Sequence, residues 1–290
     1  MAGFEERRHL TADGLAVYAR VYAAEEAEAG PPILCMHGLT RNSKDFEDLA
    51  PWLAGLGRRV IAIDVRGRGQ SDWDPEIARY QPATYAMDTL GLLDALGITQ
   101  CVAIGTSMGG LMAVLMNLMR PGIFAGVVLN DIGPELDPAG LARIRGYVGK
   151  SGPIADWADA AARVKAVNGV AFPDADDTFW EDFARKTARE MPDGSIRLDY
   201  DPAIAIPVQS DAGAAPPDLW GLFDALAGVP VLVLRGALSD LLAPATVAAM
   251  AARHPNLRAV EVPRVGHAPT LSEPTARDAL SSFISANVAM

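Results

Sequence analysis

Residues 101–119 read CVAIGTSMGGLMAVLMNLM: an apolar run from Val102 to Ile104, the segment Gly105-Thr106-Ser107-Met108-Gly109-Gly110, then an apolar helical stretch. A run without polar alternation is a strand buried on both faces. The turn that follows converts strand to helix so sharply that only small residues fit beside it, and the side chain at its apex is pushed outward. Gly-x-Ser-x-Gly in this setting makes Ser107 a candidate nucleophile. The plainer reading is a turn that uses glycine for left-handed backbone angles; placement between a buried strand and a helix favours the nucleophile.

Similar runs recur on either side, at Ile33–Met36, Val60–Ile63, Val127–Leu129, Val231–Leu234 and Ala259–Val262. Helical patterns fall between or after them near Phe46–Ala54, Tyr85–Leu96, Met108–Met119, Ala245–Arg253 and Pro274–Ile284. Such alternation predicts a mostly parallel sheet covered by helices. Ahead of it, Phe4–Leu10 and Leu15–Tyr22 are joined through Asp13-Gly14, which predicts an antiparallel hairpin. The alternation stops from Gly133 to Gly228, where helical periods run near Gly140–Val148, Ile154–Val167 and Asp177–Glu190. This predicts an α/β core over 1–133 and 229–290, with a mainly helical cap inserted at 134–228. Prolines at Ile206-Pro207 and Ala215-Pro216-Pro217 punctuate the insertion.

Half of the 290 residues are hydrophobic, enough for a large core and too many for a disordered chain. Twenty-five basic against 36 acidic residues leave a net charge of −11, which disfavours nucleic acid and anionic membrane as partners. The first ten residues lack the apolar core of a secretory signal, and Leu111–Met119 is far shorter than the ~20 residues that span a bilayer; a cytoplasmic protein is expected. Cys35 and Cys101 each sit in an apolar run, as buried reduced thiols do, and no metal site is expected from them.

A serine hydroxyl at its ordinary pKa is a poor nucleophile; an imidazole must take its proton and a carboxylate must orient the imidazole. Of four histidines, His9 and His37 precede the nucleophile, whereas this elbow places its partners in the order serine, acid, histidine. His254, at a predicted helix end, reads as a surface residue. His267, in Val265-Gly266-His267-Ala268-Pro269 after the last strand, is the candidate base. Two carboxylates follow predicted strands between Ser107 and His267. Asp240 lies 27 residues ahead of His267, one helix and one strand away, and this position favours it; Asp131, in Leu129-Asn130-Asp131, is the alternative. The candidate oxyanion donors are the backbone N–H of Met108 and that of Leu39 in His37-Gly38-Leu39-Thr40.

His37-Gly38 after one strand, Asp64-Val65-Arg66-Gly67-Arg68-Gly69-Gln70-Ser71-Asp72 after the next, the Ser107 elbow, Arg235-Gly236 leading to Asp240, and Gly266-His267 together resemble the α/β-hydrolase fold superfamily, in particular its capped, esterase- and lactonase-like members. The resemblance covers nearly the whole chain. It implies a serine hydrolase cleaving a carboxylic ester or lactone of a small, largely apolar or aromatic substrate, without a cofactor. A pocket between sheet edge and cap is expected to draw on Met108, Tyr147, Trp157, Phe179, Trp180 and Trp220. Dehalogenases and epoxide hydrolases of this type use an aspartate where Ser107 stands. Carbon–carbon hydrolases of ring-fission products typically carry tryptophan after the histidine, where Ala268 stands; that reading and enol-lactone hydrolysis stay as alternatives. A receptor that keeps the fold to bind a ligand is the non-enzyme alternative. A monomer or small homo-oligomer is expected.

Overall fold

The computed structural model describes residues 3–25, 28–150, 152–210 and 219–286. The Ala215-Pro216-Pro217 joint therefore lies outside the described residues. The chain opens with β1 (Glu5–Leu10) and β2 (Ala16–Tyr22), an antiparallel pair turned at Gly14, and continues through β3 (Ile33–Met36), α1 (Leu49–Gly55), β4 (Val60–Asp64), α2 (Pro82–Ala95), β5 (Cys101–Thr106), α3 (Met108–Met119) and β6 (Phe124–Asn130). The segment after β6 holds α4 (Pro138–Tyr147), α5 (Trp157–Asn168), α6 (Asp177–Thr187), β7 (Ala188–Glu190), β8 (Ile196–Leu198), α7 (Ala205–Ser210) and α8 (Leu219–Asp224). The chain then returns through β9 (Val231–Gly236), α9 (Pro244–Arg253), β10 (Leu257–Val262) and α10 (Pro274–Ala286).

One eight-stranded sheet runs in the order β1-β2-β4-β3-β5-β6-β9-β10, antiparallel at β1/β2 and β2/β4 and parallel thereafter. Ala259–Val262, in the edge strand β10, departs from its expected two-sided burial, with Ala259 and Glu261 exposed. The other apolar runs behave as two-sided strands: Leu34, Met36, Ala103, Leu129 and Val233 pack with α2 and α3, while Ile33, Cys35, Val102, Ile104, Val128 and Leu232 pack with α1 and α10. Neither face tolerates a polar alternation, which is why the pattern was continuous.

The insertion is not wholly helical. Ala188–Glu190 continues the helical pattern in sequence but leaves it in space, pairing antiparallel with Ile196–Leu198 around Met191-Pro192-Asp193-Gly194-Ser195. Gly194 takes φ +80° there, and the Met191 N–H bonds the Ser195 carbonyl. A small core of its own, from Ile154, Val164, Phe172, Trp180, Ala184 and Ile196, holds α5, α6 and the hairpin together. Cys35 and Cys101 are buried free thiols, and burial pushes the Cys101 thiol up to about 12. Among the described residues no helix is long and apolar enough to cross a membrane.

Candidate active site

Ser107 sits between β5 and α3 at φ 52° and ψ −116°, a left-handed conformation that costs a non-glycine residue roughly 1–3 kcal/mol. Its N–H bonds the Asn130 carbonyl at 3.0 Å, and its side chain makes no cap bond with α3, so the hydroxyl is left to face outward. A Cβ on Gly105 would strike the Gly109 carbonyl, and one on Gly109 would strike the Met36 carbonyl. The small residues therefore let α3 start against β3 and β5 without displacement.

His267 reaches Ser107 from the loop after β10, its Nε2 lying 3.0 Å from the Oγ. Its Nδ1 lies 2.8 Å from the Asp131 Oδ2. A buried carboxylate accepts, so Nδ1 carries the ring proton and Nε2 presents a lone pair to the serine hydroxyl. Asp131 is fully buried and accepts two further bonds, from the Gly236 N–H at 2.8 Å and the Ser239 hydroxyl at 2.6 Å. Register explains its position: β6 pairs with β5 so that Asn130 lies opposite Thr106, and the residue after each strand end is Asp131 and Ser107. Asn130 binds the assembly together, donating its amide to the Thr106 hydroxyl and to the Pro269 carbonyl beyond His267.

The carboxylate favoured from sequence position is not the one on the imidazole. Asp240 forms a two-point ion pair with Arg143 of α4, at 2.6 and 2.8 Å, and that guanidinium lowers its pKa. Proximity to His267 along the chain misled because β9, which precedes Asp240, is separated from β5 by β6. His254 also departs from its surface reading: it is buried, accepting from the Asn256 N–H at Nδ1, which leaves Nε2 to donate to the Leu226 carbonyl at 2.8 Å. His37 has both nitrogens committed, Nδ1 to the Gly38 carbonyl and Nε2 accepting from the Val65 N–H. Burial lowers its pKa to about 4.

Among the described residues neither the Leu39 nor the Met108 N–H finds an acceptor in the protein. A Cβ on Gly38 would stand at an ordinary contact distance, 3.8 Å from the Ser107 Cβ, so glycine here leaves open space beside Ser107. Ser107, His267 and Leu39 border a cavity of about 610 Å³ between the strand ends and the insertion. Of the aromatic residues singled out earlier, Tyr147 and Phe179 line it together with Met108. Trp157, Trp180 and Trp220 do not: Trp180 is buried in the insertion's core, Trp157 lies under Arg185, and Trp220 under Arg253. Tyr80, Tyr85, Phe172, Phe183 and Tyr200 supply walls that the sequence reading did not single out. Phe179 and Phe183, four apart on α6, carried a usable signal because that spacing shares one helix face.

The α/β-hydrolase family model matches residues 31–274, and the chain belongs to that family of hydrolases. A 3-hydroxybutyrate-oligomer hydrolase from Cupriavidus necator is 36% identical over 254 residues, covering 85% of this chain and 86% of the relative. An epoxide hydrolase from Caballeronia sordidicola is 37% identical over 102 residues, 35% of this chain and 31% of that protein. Among solved structures, an alpha/beta hydrolase from Novosphingobium aromaticivorans superposes with a TM-score of 0.91 at 45% identity, covering 98% of this chain and 99% of that one.

Proposed function

We propose that this protein hydrolyses carboxylic esters of small hydroxy acids through an acyl-enzyme. Ser107 attacks the ester carbonyl while His267 Nε2 takes the hydroxyl proton, and the buried Asp131 carboxylate holds the resulting imidazolium. The Leu39 and Met108 N–H groups receive the oxyanion. His267 then hands its proton to the leaving alcohol, and water, deprotonated by the same nitrogen, releases the acid and restores Ser107. The observation that carries the reading is the single imidazole within hydrogen-bond reach of both Ser107 and a buried carboxylate.

The substrate class draws on the oligomer hydrolase, the relative matched over most of both chains. An apolar cavity with the Ser107 hydroxyl, held by His267, and two uncommitted N–H donors at one end suits a small ester. We assign residues 134–228 the part of a cap, because α4, α5, α6 and the stretch after β8 contribute cavity walls. The short match to an epoxide hydrolase does not displace the ester reading, since a serine stands at the elbow.

Steady-state turnover of a p-nitrophenyl ester, a 3-hydroxybutyrate dimer, a lactone and a ring-fission diketone tests this with wild type and Ser107→Ala in parallel. Serine-dependent turnover of the esters, with a loss on the order of a million-fold in the variant, is expected. Turnover of the diketone alone, or an alanine variant retaining more than about one part in a hundred, would overturn the reading.

A further inference from the structure

Two neighbouring arginines in the turn after β4 are treated in opposite ways. Arg66 is buried among three carboxylates, Asp13, Asp74 and Asp88. Arg68 is fully buried and, among the described residues, has no carboxylate within ion-pair distance. Its placement is enforced: Gly67 and Gly69 on either side take φ +76° and +54°, and a Cβ on Gly67 would press on the Tyr80 ring at 2.7 Å. The turn is fastened to the insertion as well, through the Gly69 N–H to the Asp199 carbonyl and the Asp201 N–H to the Gly67 carbonyl.

The groups that face the Arg68 guanidinium are neutral. Nη1 donates to the Arg66 carbonyl at 2.8 Å, and the Tyr85 and Tyr80 rings lie 4.7 and 5.8 Å from its central carbon. Two further contacts are to the residues that carry the proposed oxyanion donors. Nε donates to the Leu39 carbonyl at 2.9 Å, and Nη2 donates to the Met108 Sδ at 3.8 Å. An uncompensated buried cation is expensive, and an apolar side chain of similar length would fill the space at lower cost. Arg68 does not border the cavity, so contact with substrate does not explain it.

We propose that Arg68 is a positioning residue that fixes the Leu39 backbone and serves as a buried positive pole behind the oxyanion site. This rests on the acyl-enzyme reading given above. A neutral ester gains little from the pole, whereas the tetrahedral intermediate carries a full negative charge in a poorly screened environment; the effect belongs to kcat and not to KM. Through the Leu39 residue the guanidinium stands about 6–9 Å from the oxyanion, by bond and hydrogen-bond lengths. At an effective dielectric near 20, a unit charge at that range corresponds to roughly a thirty-fold change in rate.

The test compares wild type, Arg68→Met, Arg68→Lys and Ser107→Ala on a p-nitrophenyl ester, together with inhibition by an alkylboronic acid, whose serine adduct is anionic and tetrahedral. Thermal melting establishes that each variant folds. The methionine variant is expected to lose about ten- to fifty-fold in kcat with KM within threefold, and to lose boronate affinity in parallel. Lysine, which keeps the charge, should recover a large part of both. A methionine variant with wild-type kcat, a rise in KM without loss of boronate affinity, or a lysine variant no better than methionine would each overturn the proposal. If the methionine variant does not fold, Arg68→Gln is compared with Arg68→Lys by the same two readouts and the same criteria. Residual activity in Ser107→Ala would instead overturn the acyl-enzyme reading; an inactive Ser107→Ala beside a fully active Arg68→Met would refute only the part given to Arg68.

Discussion

Replacing each of the two candidate acids by asparagine separates them by orders of magnitude. In Asp131→Asn the side-chain oxygen is held by the Gly236 N–H, because that donor cannot turn away. The amide nitrogen then occupies the place of Oδ2, facing both the Ser239 hydroxyl and His267 Nδ1. The hydroxyl can rotate to accept, but the imidazole must also accept, and its proton moves to Nε2, the atom that faces Ser107. The base is thereby occupied, and a loss of about ten-thousand-fold in kcat, roughly 5.5 kcal/mol of transition-state stabilisation, is expected with KM little changed. Asp240→Asn removes only a partly exposed pair with Arg143, worth at most about 1 kcal/mol of stability, and kcat should stay within about threefold. The assay is initial-rate hydrolysis of a p-nitrophenyl ester at saturating and limiting substrate, with circular dichroism to establish the fold. Equal damage from the two substitutions, or an Asp131→Asn enzyme with more than about a hundredth of wild-type kcat, would refute the reasoning.

Ser107→Gly should melt higher than wild type while losing turnover, since glycine adopts φ 52° without strain; a gain of about 1 kcal/mol in urea unfolding is expected, and a loss of stability would count against stored strain at the elbow. His37 is neutral in the fold with its pKa lowered to about 4 by burial, so the unfolded chain binds its proton first on acidification. Stability from this residue is therefore complete above about pH 6.5 and is lost as pH falls toward 4, by about 3 kcal/mol in all; His37→Gln should flatten that limb of a urea midpoint against pH profile, and an unchanged slope would contradict the assignment. Arg66→Met leaves Asp74 and Asp88 buried without their cation and should cost about 3–5 kcal/mol in equilibrium unfolding, against near-neutrality if the cluster were solvated. Gly109→Ala forces a methyl against the Met36 carbonyl and should lower the melting temperature markedly; a wild-type melting curve would show that the elbow has slack there.

The sheet was legible because two-sided burial erases polar alternation: Val60–Ile63 and Val231–Leu234 could be read as strands without reference to anything distant. That Ser107 and His267 would meet was legible through local turn chemistry and chain order. Asp131 against Asp240 was not, because the choice depends on which strands are neighbours, a property of pairing and not of any one segment. One local sign was present, since a left-handed residue at a strand end is tolerated best by asparagine or aspartate, and Asp131 takes φ 54°. The β7–β8 hairpin was hidden behind the helical period of Asp177–Glu190, although Pro192-Asp193-Gly194 is turn chemistry that marks a reversal. The tryptophans misled as pocket candidates because large apolar rings serve a core equally well; Trp180 packs against Phe172, Phe179 and Phe183 inside the insertion.

Ser107 and Asp131 lie ahead of residue 134, while His267 and the Gly236 and Ser239 groups that grip Asp131 lie after residue 228. A polypeptide severed within 134–228 therefore divides into two pieces, neither of which owns the complete hydrogen-bonded chain of Ser107, His267 and Asp131. Reunion requires Val127–Asn130 to zip against Val231–Leu234, and that pairing seats the donors around the carboxylate. On the acyl-enzyme reading proposed above, hydrolysis of a chromogenic ester is then expected to report whether two guest proteins fused to the fragments bring the halves together.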